Sequence, residues 1–434
     1  MALIRGGAVA VAVAALALAP SAHAAPRATF VKDILPGKRD GVYTNVASGS
    51  VGRTLFFGAL NARYRTELWK SDGTSAGTRL VKDIAPGGMT ELGGRLLFGT
   101  FGTLWASDGT ARGTRIVKTI YPPAGVFCCG SFAQLGGEAF FTAGGAGPTG
   151  AELWRTDGTG AGTRLVKDIY PGSEGSWPAE ITTLGDKLLF RATDAERGYE
   201  LWRSDGTAAG TRIVKDIWPG QGGSTPFHLT KVDGSILFAA SDPTDTWGLW
   251  RSDGTAAGTE LIAPCDCLSF VSVGGTFFFE NYDSSHGSEL WISDGTEEGT
   301  HLVRDIYPGR GSSRPSSLTN IDGTALFSAY DPIHGRELWR SDGTEAGTAI
   351  VKDIRSGADS SPKRFRTLAG RLLFSARGEG GRRRLWWSDG TASGTQLVEG
   401  MHPRAPLPIA DVAGKLYFSA ADRKHGRELW KVVP

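Results

Sequence analysis

The sequence predicts an all-β protein: a single β-propeller of nine four-stranded antiparallel blades, closed by its own termini. Three observations carry that prediction. A phrase reading E-L-W-x-S-D-G-T-x-x-G-T-x-L-V-K-D-I recurs along the 434 residues, with its tryptophan at Trp69, Trp105, Trp154, Trp202, Trp250, Trp291, Trp339, Trp386 and Trp430. Subtracting neighbouring positions gives steps of 36, 49, 48, 48, 41, 48, 47 and 44 residues, the period of a unit of three or four strands rather than of a helical repeat. The phrase is also split across the ends of the chain. Thr29-Phe30-Val31-Lys32-Asp33-Ile34 is its second half alone, and Glu428-Leu429-Trp430 is its first half alone. Joined, residues 29–34 and 428–433 make a ninth complete copy. Finally, beyond residue 24 no stretch shows a helical period; short apolar runs bounded by Gly, Asp and Pro read as strands.

Taken from the N-terminus, Arg5, the apolar run of residues 8–19, Pro20 and the small-residue end Ala22-His23-Ala24 read as a secretory signal peptide cut after Ala24. Residues 25–434 then form the propeller. No later apolar run has the length of a membrane span, so a protein that is exported to the periplasm or the medium and acts as a monomer is expected. A formal charge of +2 excludes the basic excess of a generic nucleic-acid binder. With 62 Gly and 21 Pro but 40% apolar residues, the chain is turn-rich rather than disordered.

Residues 170–217 serve as the specimen blade. Residues 181–184 are a first strand, Gly185-Asp186 a tight turn, 187–192 a second strand around Leu188-Leu189-Phe190, 200–204 a third and 212–217 a fourth. The continuous apolar second strand reads as buried on both faces, as stacked blades require. It recurs as Leu55-Phe56-Phe57, Leu96-Leu97-Phe98, Ile236-Leu237-Phe238, Phe277-Phe278-Phe279 and Leu372-Leu373-Phe374. Radial closure leaves only short, protected edges.

Fifteen residues separate Glu67 from Lys82, Glu152 from Lys167, Glu200 from Lys215, Glu289 from Arg304 and Glu337 from Lys352. Exceptions change together, Gly248 with Ala263 and Arg384 with Glu399, although Thr103 keeps Lys118. The spacing predicts a cross-strand ion pair in each blade, with Glu428 facing Lys32. Such pairs mark register and contribute under ~1 kcal/mol each.

Seven of the nine copies keep Leu-Trp-x-Ser-Asp-Gly-Thr; the third has Arg155-Thr156-Asp157 after its tryptophan, and the last stops after Trp430. In this the whole mature chain resembles the bacterial ELWxxDGT-repeat family. The resemblance implies a secreted or surface-associated repeat protein and carries no catalytic residues with it. The hairpin also looks like the Asp-box turn of sialidase-type propellers, whose arginines and acid-base set have no recognisable counterpart here.

The aspartates of the Asp-Gly-Thr turns, Asp72, Asp108, Asp157, Asp205, Asp253, Asp294, Asp342 and Asp389, could ligate calcium, a hard cation that takes carboxylate and carbonyl oxygens. A turn held by its own Asp is the favoured reading, because a calcium loop needs further acidic positions that are missing, so no cofactor or metal is expected. On the opposite rim, loops ending in Asp283-Ser284-Ser285-His286-Gly287, Asp331-Pro332-Ile333-His334-Gly335 and Asp422-Arg423-Lys424-His425-Gly426 bring His and Asp together, again most simply as self-held loops. Unrepeated features on that rim are Trp177, Trp247 and the basic run Arg382, Arg383 and Arg384, near Arg377. Cys128, Cys129, Cys265 and Cys267 fall at matching places in the third and sixth units. For an exported chain, local disulfides are preferred over a metal site or a long-range bridge.

No Ser-His-Asp set, paired-carboxylate motif, phosphate loop or zinc signature stands out. The sequence therefore leads to a secreted non-enzymatic propeller that binds a glycan or an extracellular protein through Trp177, Trp247, Arg382, Arg383, His286, His334 and His425. The alternative is an extracytoplasmic glycan hydrolase or lyase that uses the same His and Asp loops.

Overall fold

The computed structural model describes residues 26–43, 47–120, 127–144, 148–399, 404–422 and 424–433. The leader assigned to residues 1–24 lies outside them. Among the described residues are 36 strands in nine four-stranded antiparallel sheets, and no helix. We number the blades by their residues: blade 1, 48–82; blade 2, 89–119; blade 3, 127–167; blade 4, 179–215; blade 5, 227–264; blade 6, 268–304; blade 7, 316–352; blade 8, 363–397; and blade 9, 404–433 with 27–32. The first strands of successive blades lie against one another all the way round, and that of blade 9 lies against that of blade 1. The specimen blade has the four strands expected of it, Ala179–Leu184, Lys187–Ala192, Glu200–Ser204 and Arg212–Lys215.

The core lies between blades, not within them. Leu188 and Phe190 of blade 4 pack with Phe140 and Leu153 of blade 3, and Phe327 of blade 7 packs with Phe278 and Leu290 of blade 6. A second strand flanked by two neighbours has no solvent face, which is why its apolar run is unbroken. Closure follows the split phrase. Arg27–Lys32 pairs antiparallel with Arg427–Val433, with Phe30 opposite Trp430, and Val31 and Ile34 join Leu429, Leu55 and Phe57 in the core between blades 9 and 1.

The expected cross-strand ion pairs do not form. In blade 4, Lys215 is opposite Leu201 and Ile213 is opposite Trp202, so the fourth strand carries a bulge at Val214 and slips one place out of the assumed register. The lysine is directed to the next blade instead. Lys215 Nζ donates to the Thr259 carbonyl of blade 5 at 2.6 Å, Lys167 to Thr211 at 2.9 Å, Lys118 to Thr163 at 2.8 Å and Lys352 to Thr395 at 2.8 Å. Lys32 continues the series across the closure, donating to the Ser75 carbonyl of blade 1. Blade 8 has no such lysine, and blade 9 ends before it could supply the acceptor turn. The paired exception there follows from the split phrase.

The glutamate acts as a clasp on the connection to the next blade. Glu200 is fully buried and accepts from the N–H groups of Ile217 (3.0 Å), Trp218 (3.1 Å) and Ser224 (2.9 Å) and from the Ser224 hydroxyl (2.6 Å). Glu152 and Glu289 repeat the set with Ser176 and Ser313, and Glu337 uses Ile354 and Ser360. Glu428 clasps the opposite end of the chain, taking the N–H groups of Ile34, Leu35 and Gly41. Blade 5 lacks clasp and latch together, because Gly248 and Ala263 stand in those places.

Burial outweighs these hydrogen bonds and raises the carboxyls of Glu289, Glu337 and Glu428 to about 7; it raises those of Glu152 and Glu200 as well. A carboxyl raised on folding favours the folded state when protonated, so this stability is complete below the unfolded glutamate value of about 4.5 and is lost as pH rises through about 7. Thermal melts across that window should give the highest midpoint near pH 5 and a steady fall toward pH 8. The combined Glu289→Gln and Glu337→Gln variant should show a flatter profile; a midpoint that rises from pH 5 to pH 8 contradicts the assignment.

Candidate functional site

The Asp-Gly-Thr turns are saturated by their own residues. Asp205 Oδ1 accepts from the Thr207 N–H at 2.8 Å and its hydroxyl at 2.7 Å, and these bonds, the hydroxyl foremost, hold the Asp205 carboxyl below its usual range. Gly206 has φ of 88° and sits against the Phe140 ring of blade 3, so both backbone and packing require glycine there. Among the described residues, no three His, Cys, Asp or Glu side chains are grouped so as to hold a metal ion.

The His and Asp loops also close on themselves. His286, His334 and His425 each place Nδ1 2.9 Å from Oδ2 of the aspartate three residues earlier, Asp283, Asp331 and Asp422, and that aspartate also accepts the histidine N–H. The hydrogen bond with Asp283 raises the His286 ring above its ordinary value. In blade 4 the same office falls to Arg197 with Asp194. Each pair belongs to one blade, and no two converge.

Trp177 is 44% exposed in the connection before blade 4, its indole N–H donating to the Glu174 carbonyl. Trp247 in blade 5 is half-buried, edge-on to Phe227 with ring centroids 5.1 Å apart, against the core that contains Cys265 and Cys267. Arg382 is exposed on blade 8, four blades from blade 4 in a ring of nine and so nearly across the molecule. Cys265 and Cys267 form a local disulfide with Cα atoms 5.1 Å apart; the side chains of Cys128 and Cys129 lie outside the described residues.

What the structure gathers instead is an arc of cations on one face of the ring, at the starts of the third strands. The residue that precedes Glu-Leu-Trp, or its equivalent, sits at one height in every blade: Thr66, Gly102, Ala151, Tyr199, Trp247, Ser288, Arg336, Arg383 and Arg427. Three consecutive blades thus carry arginine there. Each uses Nη1 on the carbonyl of its own second strand, Arg336 on Ser328, Arg383 on Ser375 (2.8 Å) and Arg427 on Ser419 (3.0 Å). Arg336 also reaches the Arg314 carbonyl (2.9 Å), and Arg383 that of Ser361 (2.9 Å). Because the Ser361 N–H donates to the Arg336 carbonyl, the arginines of blades 7 and 8 are joined through one residue.

The first strand of blade 8 adds Lys363 and Arg364, the latter in the left-handed region at φ 61°. Glu180, His228, Ser269 and Ser317 hold the same conformation at the matching place of blades 4 to 7, so it belongs to the blade rather than to the site. Arg383, foremost, and then burial, Arg364 and Arg377 lower the Lys363 ammonium; burial first, then Arg377 and Arg364, lowers Arg383. Arg364 also depresses Arg427, so it lies within reach of both neighbouring arginines. Among the described residues no carboxylate forms an ion pair with Lys363, Arg364, Arg377 or Arg383.

At the blade 6 end stands Glu280, half-buried on the second strand, its carboxyl raised to about 6 by burial and held back only in part by Arg336 and Arg314. Among the described residues it has no hydrogen-bond or ion-pair partner. A half-buried carboxyl raised by burial near cations is a candidate functional group. Sequence reasoning found Arg383 and missed Arg314, Arg336, Lys363, Arg364, Arg427 and Glu280. Aligning the position before Glu-Leu-Trp across the nine copies would have exposed the three arginines; nothing local marks Glu280.

The function read from the sequence is corrected here. The residues that carried it are dispersed over blades 4 to 9 and several are occupied by packing or by their own loops. No family model and no curated protein matches the chain. A puromycin hydrolase crystal structure is similar at 18% identity and a TM-score of 0.42, covering 77% of this chain and 58% of the other. A Mycobacterium tuberculosis puromycin-hydrolyzing peptidase is similar at 12% identity and a TM-score of 0.41, with 79% and 60% covered. A prolyl endopeptidase is similar at 13% identity and a TM-score of 0.42, with 92% and 53% covered. This chain therefore spans a little over half the length of each.

Proposed function

We propose that the face of the ring formed by blades 7 to 9 binds a small, multiply charged oxyanion, a phosphate or a polycarboxylate. The observation that carries this reading is the crowding of Lys363, Arg364, Arg377 and Arg383, in which the neighbouring arginines lower Lys363 and, after burial, Arg383, and among the described residues no carboxylate forms an ion pair with any of the four. Folding alone gains nothing from bringing these like charges together. An anion that spans them relieves the repulsion and gains charge-assisted hydrogen bonds from guanidinium groups already fixed by backbone carbonyls. The leader-like segment of residues 1–24 and the Leu-Trp-x-Ser-Asp-Gly-Thr copies support the companion reading, that this is an exported member of the ELWxxDGT-repeat family.

Calorimetric titration at low ionic strength with pyrophosphate and with citrate tests the site and tells the two ligand classes apart. At least one anion should bind, more weakly as salt is raised. Arg364→Ala, an exposed position, should weaken binding about tenfold or more, the loss of about 1.4 kcal/mol expected for one charged contact, while the melting midpoint stays unchanged. A protein that binds neither anion, or an Arg364→Ala variant that binds as well as the parent, overturns the proposal.

A further inference from the structure

We propose that the disulfide between Cys265 and Cys267 is the tie that holds the seam between blades 5 and 6, so that a dithiol can loosen this one seam of the ring. The other seams are tied by hydrogen bonds that cross them. Latches follow blades 2, 3, 4, 7 and 9; after blade 1, Lys82 donates to the Thr114 carbonyl at 3.0 Å, and after blade 6, Arg304 donates to the Thr348 carbonyl. Blade 8 has no latch, and there the N-terminal strand of blade 9 serves. The Ala28 N–H donates to the Glu399 carbonyl at 3.1 Å, and the Glu399 N–H to the Pro26 carbonyl at 3.2 Å. Blade 5 alone has neither arrangement, with Ala263 in the latch position and Gly248 in the clasp position.

The place of the disulfide fits this task. Residues 216–226 join blades 4 and 5 and residues 305–315 join blades 6 and 7, but only residues 265–267 join blades 5 and 6. Counted from the latch position, Cys265 and Asp266 stand where Ile217 and Trp218 stand in blade 4, whose N–H groups the Glu200 clasp takes. Here those donors are divided between the two blades. The Cys265 N–H goes to the Trp247 carbonyl of blade 5 (3.0 Å) and the Asp266 N–H to Asn281 Oδ1 of blade 6 (3.1 Å). Both cysteines are buried in a core built from Leu249 and Ile262 of blade 5 and Phe277 and Phe279 of blade 6. Their Cα atoms, 5.1 Å apart, are fixed across Asp266 by the bond, which keeps this short connection folded over the seam.

Reduction proceeds by thiol exchange. A thiolate of the dithiol attacks the Cys265 sulfur, the less buried of the two, and the Cys267 sulfur leaves as a thiolate that takes up a proton. The second thiolate of the reductant then displaces Cys265, so the dithiol becomes a disulfide and the protein gains two thiols. Without the cross-link the connection is held by its two hydrogen bonds and its packing, and the seam opens more often.

Hydrogen exchange read by mass spectrometry, on the folded full chain before and after treatment with dithiothreitol, tests this. After reduction the amides of residues 259–273 should exchange about tenfold faster, while those of residues 216–226, held by Glu200, keep their rate. The melting midpoint should fall by about 3 °C, and by as much in a Cys128→Ser, Cys129→Ser variant, which removes any share of the other two cysteines. The Cys265→Ser, Cys267→Ser variant should show the exchange of the reduced protein without reductant and no response to it. Unchanged exchange at residues 259–273 after reduction overturns the proposal. So does a bond that dithiothreitol leaves intact until denaturant is added, or a quickening shared equally by residues 216–226.

Discussion

A chain lacking residues 27–36 is expected to lose its cooperative melting transition, or to melt about 10 °C or more below the intact protein and aggregate. Two losses combine. The strand Arg27–Lys32 covers the edge of Arg427–Val433, and without it that edge presents unpaired N–H and C=O groups for pairing between molecules. The deletion also strips Glu428, fully buried, of the Ile34 and Leu35 N–H groups, leaving its carboxyl with the Gly41 N–H alone of its three backbone donors. Each such orphaned polar group costs about 1–3 kcal/mol, and a charged one more, against a total stability of roughly 5–15 kcal/mol. Val31 and Ile34 leave the core between blades 9 and 1 at the same time. Differential scanning calorimetry with light scattering checks the result, and an unchanged midpoint would mean that the ring does not depend on its closure.

Glu200→Ala is the second large effect, expected to destabilise the protein by about 3–5 kcal/mol. The substitution leaves the N–H groups of Ile217, Trp218 and Ser224 and the Ser224 hydroxyl facing a cavity. Glu200→Gln keeps an acceptor and should cost roughly half as much or less. The comparison with Lys215 separates the clasp from the ion pair that the spacing suggested. Lys215→Glu loses the bond to the Thr259 carbonyl and the ammonium's place over the Trp250 ring and should cost about 1 kcal/mol, and combining it with Glu200→Lys should rescue nothing, because the two side chains serve different partners. Denaturant melts of the four proteins decide it; substantial recovery in the double variant would restore the direct pairing.

Much of the fold was legible because it depends on local pattern. The Leu-Trp-x-Ser-Asp-Gly-Thr turns, the alternation of short strands with Gly and Asp, and the apolar second strands each need only a few neighbouring residues to be recognised. The ion-pair reading failed on one residue. The bulge at Val214 arises where the fourth strand bends against the next blade, so the pairing of Glu200 with Lys215 could not be judged from spacing. The two residues are both replaced at Gly248 and Ala263, whereas in blade 2 the latch of Lys118 persists beside Thr103. The clasp holds the outgoing connection and the latch holds the following blade, so both serve the same seam.

The candidate site was the least legible part. Arg336, Arg383 and Arg427 lie 47 and 44 residues apart by subtraction, and Glu280 is 56 residues before the first of them. No window of local sequence contains two of them. The three arginines share one face because every blade begins its third strand at the same height and the ring turns by one ninth at each step. Trp247, by contrast, looked free because no repeat predicted it, yet it fills a gap against Phe227 at the seam where the clasp is missing.

The sequence by itself determined the unit, the number of units and the closure, since periodicity, hydrophobic pattern and a phrase divided between the two ends are properties of the chain read in order. Only the tertiary structure decided where the charges go. Burial turns Glu200 and its equivalents from surface partners into ligands for backbone N–H groups, because a carboxylate removed from water must take the nearest donors. Closing the ring brings arginines from three consecutive blades to one face, an arrangement that exists only once residues far apart in the chain share one surface.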